Sequence, residues 1–108
     1  MEITIDTLEK YLLDRYGGWA NEQGLFLKLV EEMGEVAEVI NMRSGSKKAI
    51  DADLQKELGV ELADMIHYIV AMAAINNIDL TSVILEKDKK ASIKYNHNVN
   101  LEEFISAR

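Results

Sequence analysis

Residues 28–39 read KLVEEMGEVAEV, a stretch whose apolar positions recur at helical spacing while four of its residues are glutamates. Glu31 and Glu35 stand four apart, and Glu32–Glu35 and Glu35–Glu38 three apart. On a helix such like charges are neighbours and repel by about 0.2–0.5 kcal/mol per pair. No lysine or arginine follows within the next turn to relieve them. The periodicity predicts an amphipathic helix, and its charge calls for a counter-ion from elsewhere.

Outward from this stretch the same period dominates. Proline is absent and β-branched alternation is scarce. A first helix is expected over about 8–16, with Asp6 and Glu9 as a capping-box pair and Gly17-Gly18 ending it. The second runs over about 22–43 behind Asn21 as cap, with Phe26, Leu29, Val30, Met33, Val36, Ala37 and Ile40 as its core stripe. A polar loop, SGSKKAID, precedes a third helix over about 52–75, whose stripe is Leu58, Leu62, Met65, Ile66, Ile69, Met72 and Ala73. The loop lacks the glycine pattern and Lys-Ser/Thr ending of a phosphate-binding loop. Asn76-Asn77 suits a left-handed termination, Asp79 caps a fourth helix over about 80–95, and Asn100 with Glu103 starts a short final one. The fold class is therefore all-α, a four-to-five-helix bundle in one domain spanning 1–108. Between Met65 and Ile75 the third helix is apolar almost all round, interrupted by His67. A bundle this small cannot cover such a helix alone, so a homo-oligomer is expected.

Composition narrows the function. No cysteine is present, which rules out disulfides and thiolate metal sites. A net charge of −7 argues against nucleic-acid polymers as partners, since their binding relies on Lys and Arg at phosphates. The start, MEITIDTLEK, lacks the basic and apolar regions of a signal peptide, and MIHYIVAMAAI is too short to span a bilayer. A cytoplasmic protein without membrane contact is the expectation.

The third helix repeats the oddity of the second: ELGVELAD sets Glu57, Glu61 and Asp64 at i, i+4 and i+7. If the two helices pack antiparallel, Glu32 and Glu35 face Glu61 and Asp64. Four half-buried carboxylates need cations, because unpaired buried charge is costly. An oxygen-only donor set selects a hard divalent ion, Mg²⁺ with Mn²⁺ as substitute. Gly34 and Gly59 lie inside the two acidic clusters, where a mid-helix glycine points to close approach of a backbone or ligand. The fourth helix offers the opposite charge, with Lys87, Lys90 and Lys94 at i, i+3 and i+7. Metal beside a lysine stripe suits a polyphosphate substrate.

The segments KLVEEMGEVAEVI and VELADMIHYIVAMAAINNIDLTSVILEKDKKASIKY also resemble the MazG-like all-α nucleotide pyrophosphohydrolases. Their signature is E-E-x-G-E followed by E-x-A-D and a downstream basic segment. The resemblance covers about residues 17–95. It implies Mg²⁺-dependent hydrolysis of a nucleoside triphosphate to the monophosphate and pyrophosphate, in a house-cleaning role, by a homodimer or homotetramer with its site between helices. By position, Glu32, Glu35, Glu61 and Asp64 match the metal ligands, and Glu31 matches a leading acidic residue able to hold a water. Lys87 matches a phosphate-contacting lysine, Lys94 the basic residue before Tyr95, and Tyr68 a base-pocket position. Glu31 or Glu35 would orient the attacking water, and Lys87, Lys90 and Lys94 would stabilise the leaving pyrophosphate.

This sequence departs from the cytidine-directed members at Met42, where they carry tryptophan, at Ala91, near their asparagine, and at KYN, where they read K-Y-P. A phosphoribosyl-ATP pyrophosphohydrolase shares the chemistry, and a non-catalytic helical oligomer is the reading from another class. Trp19, in YGGWANEQG, offers a ring for stacking on a base or for plain packing. Asp64-x-x-His67 has ligand spacing, but its second copy is missing, and His67 reads as a core or interface residue.

Overall fold

The computed structural model describes residues 1–45 and 53–107. They form five helices: α1 Ile5–Tyr16, α2 Glu22–Arg43, α3 Leu54–Ile75, α4 Leu80–Lys94 and α5 Leu101–Ser106. Among the described residues there is no strand. Most of the expected caps are in place. Asn21 accepts from Gly24 N–H, Asp79 from Ser82 N–H, and Asn100 and Glu103 close a capping box. Asn77 takes φ 55°, the left-handed turn that ends α3. Residues 46–52, with most of the polar loop and the expected start of the third helix at Ala52, lie outside the described residues; α3 is capped by Asp53.

The first helix begins earlier than expected. Thr4, not Asp6, is its cap and accepts from Thr7 N–H. Glu9 belongs to no capping box, because its Oε1 accepts from Leu80 N–H at 2.9 Å and fastens the start of α4 to α1.

The main packing is α2 against α3, with α1 laid across α3. The core holds Leu12, Leu25, Val70, Ala71 and Ala74, with Tyr68 and Met72 packed on it. On α2 the buried face is rotated from the expected one. Leu25, Leu29, Glu32, Val36 and Val39 recur at alternating four- and three-residue steps and face inward. The neighbouring stripe of Phe26, Val30, Met33 and Ile40, expected in the core, is exposed. On α3, Leu62, Ile66 and Ile69 of the expected stripe are likewise exposed. Both helices thus carry two adjacent apolar stripes, and a single chain covers one of each.

The fourth helix stands apart. It packs on α1 and α5 and makes at most marginal contact with α2 and α3, so one chain does not close a bundle. The radius of gyration is 17.1 Å, against about 13 Å for a compact chain of this length. The apolar run judged too short for a bilayer belongs to the 22-residue α3, which is long and apolar enough to cross one by length and composition alone. The core helix of a soluble protein passes the same test. Here α3 carries the buried Val70, Ala71, Ala73 and Ala74 and turns Glu61 toward α2.

Candidate active site

The inner stripes of α2 and α3 explain how carboxylates come together. Glu32 occupies a core-facing position between Leu29 and Val36, and Glu61 sits between Leu58 and Met65 on the opposing stripe. One oxygen each of Glu32, Glu61 and Asp64 lies within 4.8 Å of the others. Glu35 stands beside them, close enough to act on the charges of both Glu61 and Glu32. Of the four carboxylates expected to face one another, Glu32, Glu61 and Asp64 come together, while Glu35 is exposed at their side. Glu57 remains exposed.

The electrostatics are those of crowded like charge. Contacts with Glu35 and then Glu32, followed by burial, push the Glu61 carboxyl up to about 8. For Glu32 the contact with Glu61 works downward, but burial and the charges of Glu35 and Asp64 outweigh it, and the group is raised. Glu32 Oε2 and Glu61 Oε2 are closed off from solvent and meet no donor. Buried polar atoms without partners are exceptions in folded proteins. An all-oxygen cluster with two orphaned buried oxygens fits a hard divalent cation, held by Glu32, Glu61 and Asp64 with Glu35 adjoining.

Gly34 and Gly59 do not serve close approach within the chain, since a Cβ on either would meet nothing within 4 Å. Glu31 turns away from the cluster. Its carboxylate pairs with Lys28 at 3.4 Å, both side chains being more than half exposed. The relief absent from the following turn therefore comes from the preceding one.

Beside the cluster lies a cleft of about 430 Å³, lined by Tyr16, Trp19, Ala20, Asn21, Gly24, Leu25, Lys28 and Tyr68. A chain of ring contacts builds its wall. Tyr16 packs on Trp19 at 5.6 Å between centroids and meets His67 edge-on at 5.5 Å, and His67 meets Tyr68 at 5.0 Å. Trp19 is 71% exposed and tethered by its Nε1–H to the Arg15 carbonyl at 2.9 Å. An exposed ring held in place can stack on a planar ligand. His67 shares a 2.7 Å hydrogen bond with the Tyr16 hydroxyl. Burial, then the Arg15 charge, pushes its pKa down. It is a packing histidine as expected, and is not among the clustered ligands.

Lys87, Lys90 and Lys94 are not brought to the acidic cluster within one chain, because α4 packs elsewhere. Lys90 pairs with Glu86 at 3.3 Å, and Lys94 lies 5.4 Å from the Tyr95 ring centre. Two residues at the cleft have no signal in the acidic motif, Tyr16 and Lys28. Lys28 was findable from its position four residues before Glu32, hence on the same helix face.

The MazG nucleotide pyrophosphohydrolase domain model matches residues 20–99. Over 68 residues the chain is 37% identical to dCTP pyrophosphatase 1 of Rattus norvegicus, and equally to that of Mus musculus, with 60% of this chain and 40% of each relative covered. It thus spans about two-fifths of the length of these curated relatives. Among solved structures, iMazG from Vibrio DAT 722 superposes with a TM-score of 0.64 at 28% identity, covering 88% of this chain and 100% of that one.

Proposed function

The chain belongs to the MazG nucleotide pyrophosphohydrolase domain family, and from that premise we propose that it hydrolyses a nucleoside triphosphate to the monophosphate and pyrophosphate with Mg²⁺, as a homo-oligomer. The observation that carries this reading is the cluster of Glu32, Glu61 and Asp64, in which Glu32 Oε2 and Glu61 Oε2 are buried without a hydrogen-bond partner.

Glu32, Glu61 and Asp64 would hold the cation, Mg²⁺ by donor chemistry and Mn²⁺ as substitute. A divalent ion there supplies charge for the phosphate oxygens and polarises the reacting groups. Glu35, beside the cluster yet exposed, would orient the attacking water and take its proton. Glu31 is engaged by Lys28 and can act only from outside that group. Trp19 and Tyr68 would stack on the base in the cleft. The leaving pyrophosphate needs cations that α2 and α3 do not provide. We assign them to Lys87, Lys90 and Lys94 on α4 of a second copy, docked along the uncovered stripes of α2 and α3.

The test is a turnover screen over the common NTPs and dNTPs with Mg²⁺, counting pyrophosphate and phosphate separately. The panel includes dCTP, because the rodent relatives are dCTP pyrophosphatases, although Met42 replaces the tryptophan of cytidine-directed members. Pyrophosphate from one or a few nucleotides is expected. Orthophosphate as the first product, or no turnover across the panel, would overturn the assignment.

A further inference from the structure

We infer that Lys28 grips the phosphate that stays with the sugar, so that this chain recognises its substrate as a nucleoside monophosphate carrying a leaving group. The inference rests on the pyrophosphohydrolase reading and adds a specificity-determining residue to it.

Among the described residues lining the aromatic cleft, Lys28 is the one that carries a charge. It lies four residues before Glu32 on α2, which puts the two on one face about one 5.4 Å turn apart. On α3, Tyr68 lies four residues after Asp64, so the facing helix repeats the same step. The cleft and the carboxylate cluster are therefore consecutive turns of the same two helices. Tyr68 links the two: it lines the cleft with Lys28 and stands one turn beyond Asp64 on α3. Gly24 and Asn21 lie one and two turns further from the cluster along the start of α2. A base resting against Trp19 and Tyr68, with the outer phosphates at the carboxylates, passes its first phosphate at Lys28.

The state of the lysine agrees with that task. Its ammonium meets a single carboxylate oxygen of Glu31 at 3.4 Å, and the side chain is 58% exposed. An exposed, monodentate pair of this kind contributes little to folding. It holds the ammonium at the mouth of the cleft and leaves donors free for a phosphate, which forms the stronger charge-assisted bonds. No other cation lines this cleft among the described residues.

The experiment compares wild type with Lys28→Met and Lys28→Arg, the methionine keeping the apolar stem without the charge. Calorimetric titration with dCMP and deoxycytidine, repeated with the pair belonging to the best substrate of the turnover screen, is done in chelator so that no metal carries the phosphate. Wild type should bind the monophosphate about 10- to 100-fold more tightly than the nucleoside. Lys28→Met should erase that preference while leaving nucleoside affinity unchanged, and Lys28→Arg should retain much of it. Inhibition of turnover by inorganic pyrophosphate should be the same in all three. The inference is overturned if Lys28→Met keeps the preference, if it weakens nucleoside and monophosphate alike, or if active wild type shows no preference at all. Wild-type turnover in the same preparations separates this failure from failure of the enzyme reading, which would silence every variant.

Discussion

The α2–α3 pair and α4 are built on opposite principles. The pair interlocks along two inner stripes, buries side chains from both helices and completes the acidic half of the site inside one chain. The fourth helix carries Lys87, Lys90 and Lys94, the proposed basic half, and is fastened to its own chain mainly by α1 and α5. It leaves Val83, Ile84 and Ile93 exposed. The difference teaches that the carboxylates are gathered by the folding of one copy; on the function proposed above, the lysines would reach them by association.

The sharpest way to break this comparison is to disable each half separately. Asp64→Ala removes a carboxylate from the cluster, and the double variant Lys87→Met with Lys90→Met removes cations from α4. Each alone should lose about 10²–10³-fold in kcat, the usual effect of deleting a charge-stabilising group at a reacting phosphate. Refolded together, the two inactive chains should recover about one quarter of wild-type activity, since half of random dimers are mixed and each restores one site of two. A mixture as inactive as its parts would place the lysines with their own chain's carboxylates and end the distinction.

How far the sequence revealed this arrangement differs by region. The carboxylate pairing across α2 and α3 was legible because E-E-x-G-E and E-x-A-D each set acidic groups at helical spacing beside an apolar stripe. Family membership was legible from the same residues. The buried face of α2 was not. The Phe26–Ile40 stripe is apolar throughout, whereas the Leu25–Val39 stripe beside it is interrupted by Glu32, so periodicity favours the face that one chain leaves uncovered. Glu9 was misread because Asp6-x-x-Glu9 satisfies a local capping pattern, while its actual partner is Leu80, 71 residues away. The position of α4 was illegible for a related reason: its lysine spacing records which residues share a face, not which copy that face meets.

A weaker effect sharpens the acidic half. The Glu61 pKa, about 8 in the folded chain against an ordinary 4.5, is raised. The stabilisation from its bound proton is therefore fully present below about pH 4.5, erodes between there and 8, and is gone above. In chelator the Tm of wild type should decline across that window more steeply than that of Glu61→Gln, which cannot titrate. The cation competes with the same proton, so the rise in Tm on adding Mg²⁺ should grow as pH passes 8. Differential scanning fluorimetry from pH 5 to 9, with and without Mg²⁺, measures both trends. Identical slopes for wild type and Glu61→Gln would remove Glu61 as the proton holder.

The smallest effect tests the other half. Glu9→Ala deletes the acceptor for Leu80 N–H and with it a tie between α1 and α4, at a cost of about 0.5–2 kcal/mol by analogy with other helix-start caps. Asp79 still caps the helix through Ser82, so α4 should stay helical but swing more freely. If association is what holds α4, raising the protein concentration should restore most of the lost Tm, because binding stabilises by mass action whatever it binds. Measured from low to high micromolar chain, the deficit of Glu9→Ala against wild type should shrink. A deficit of constant size would mean that α1 and α5 hold α4 unaided, and the basic half would then belong to the same folding event as the acidic one.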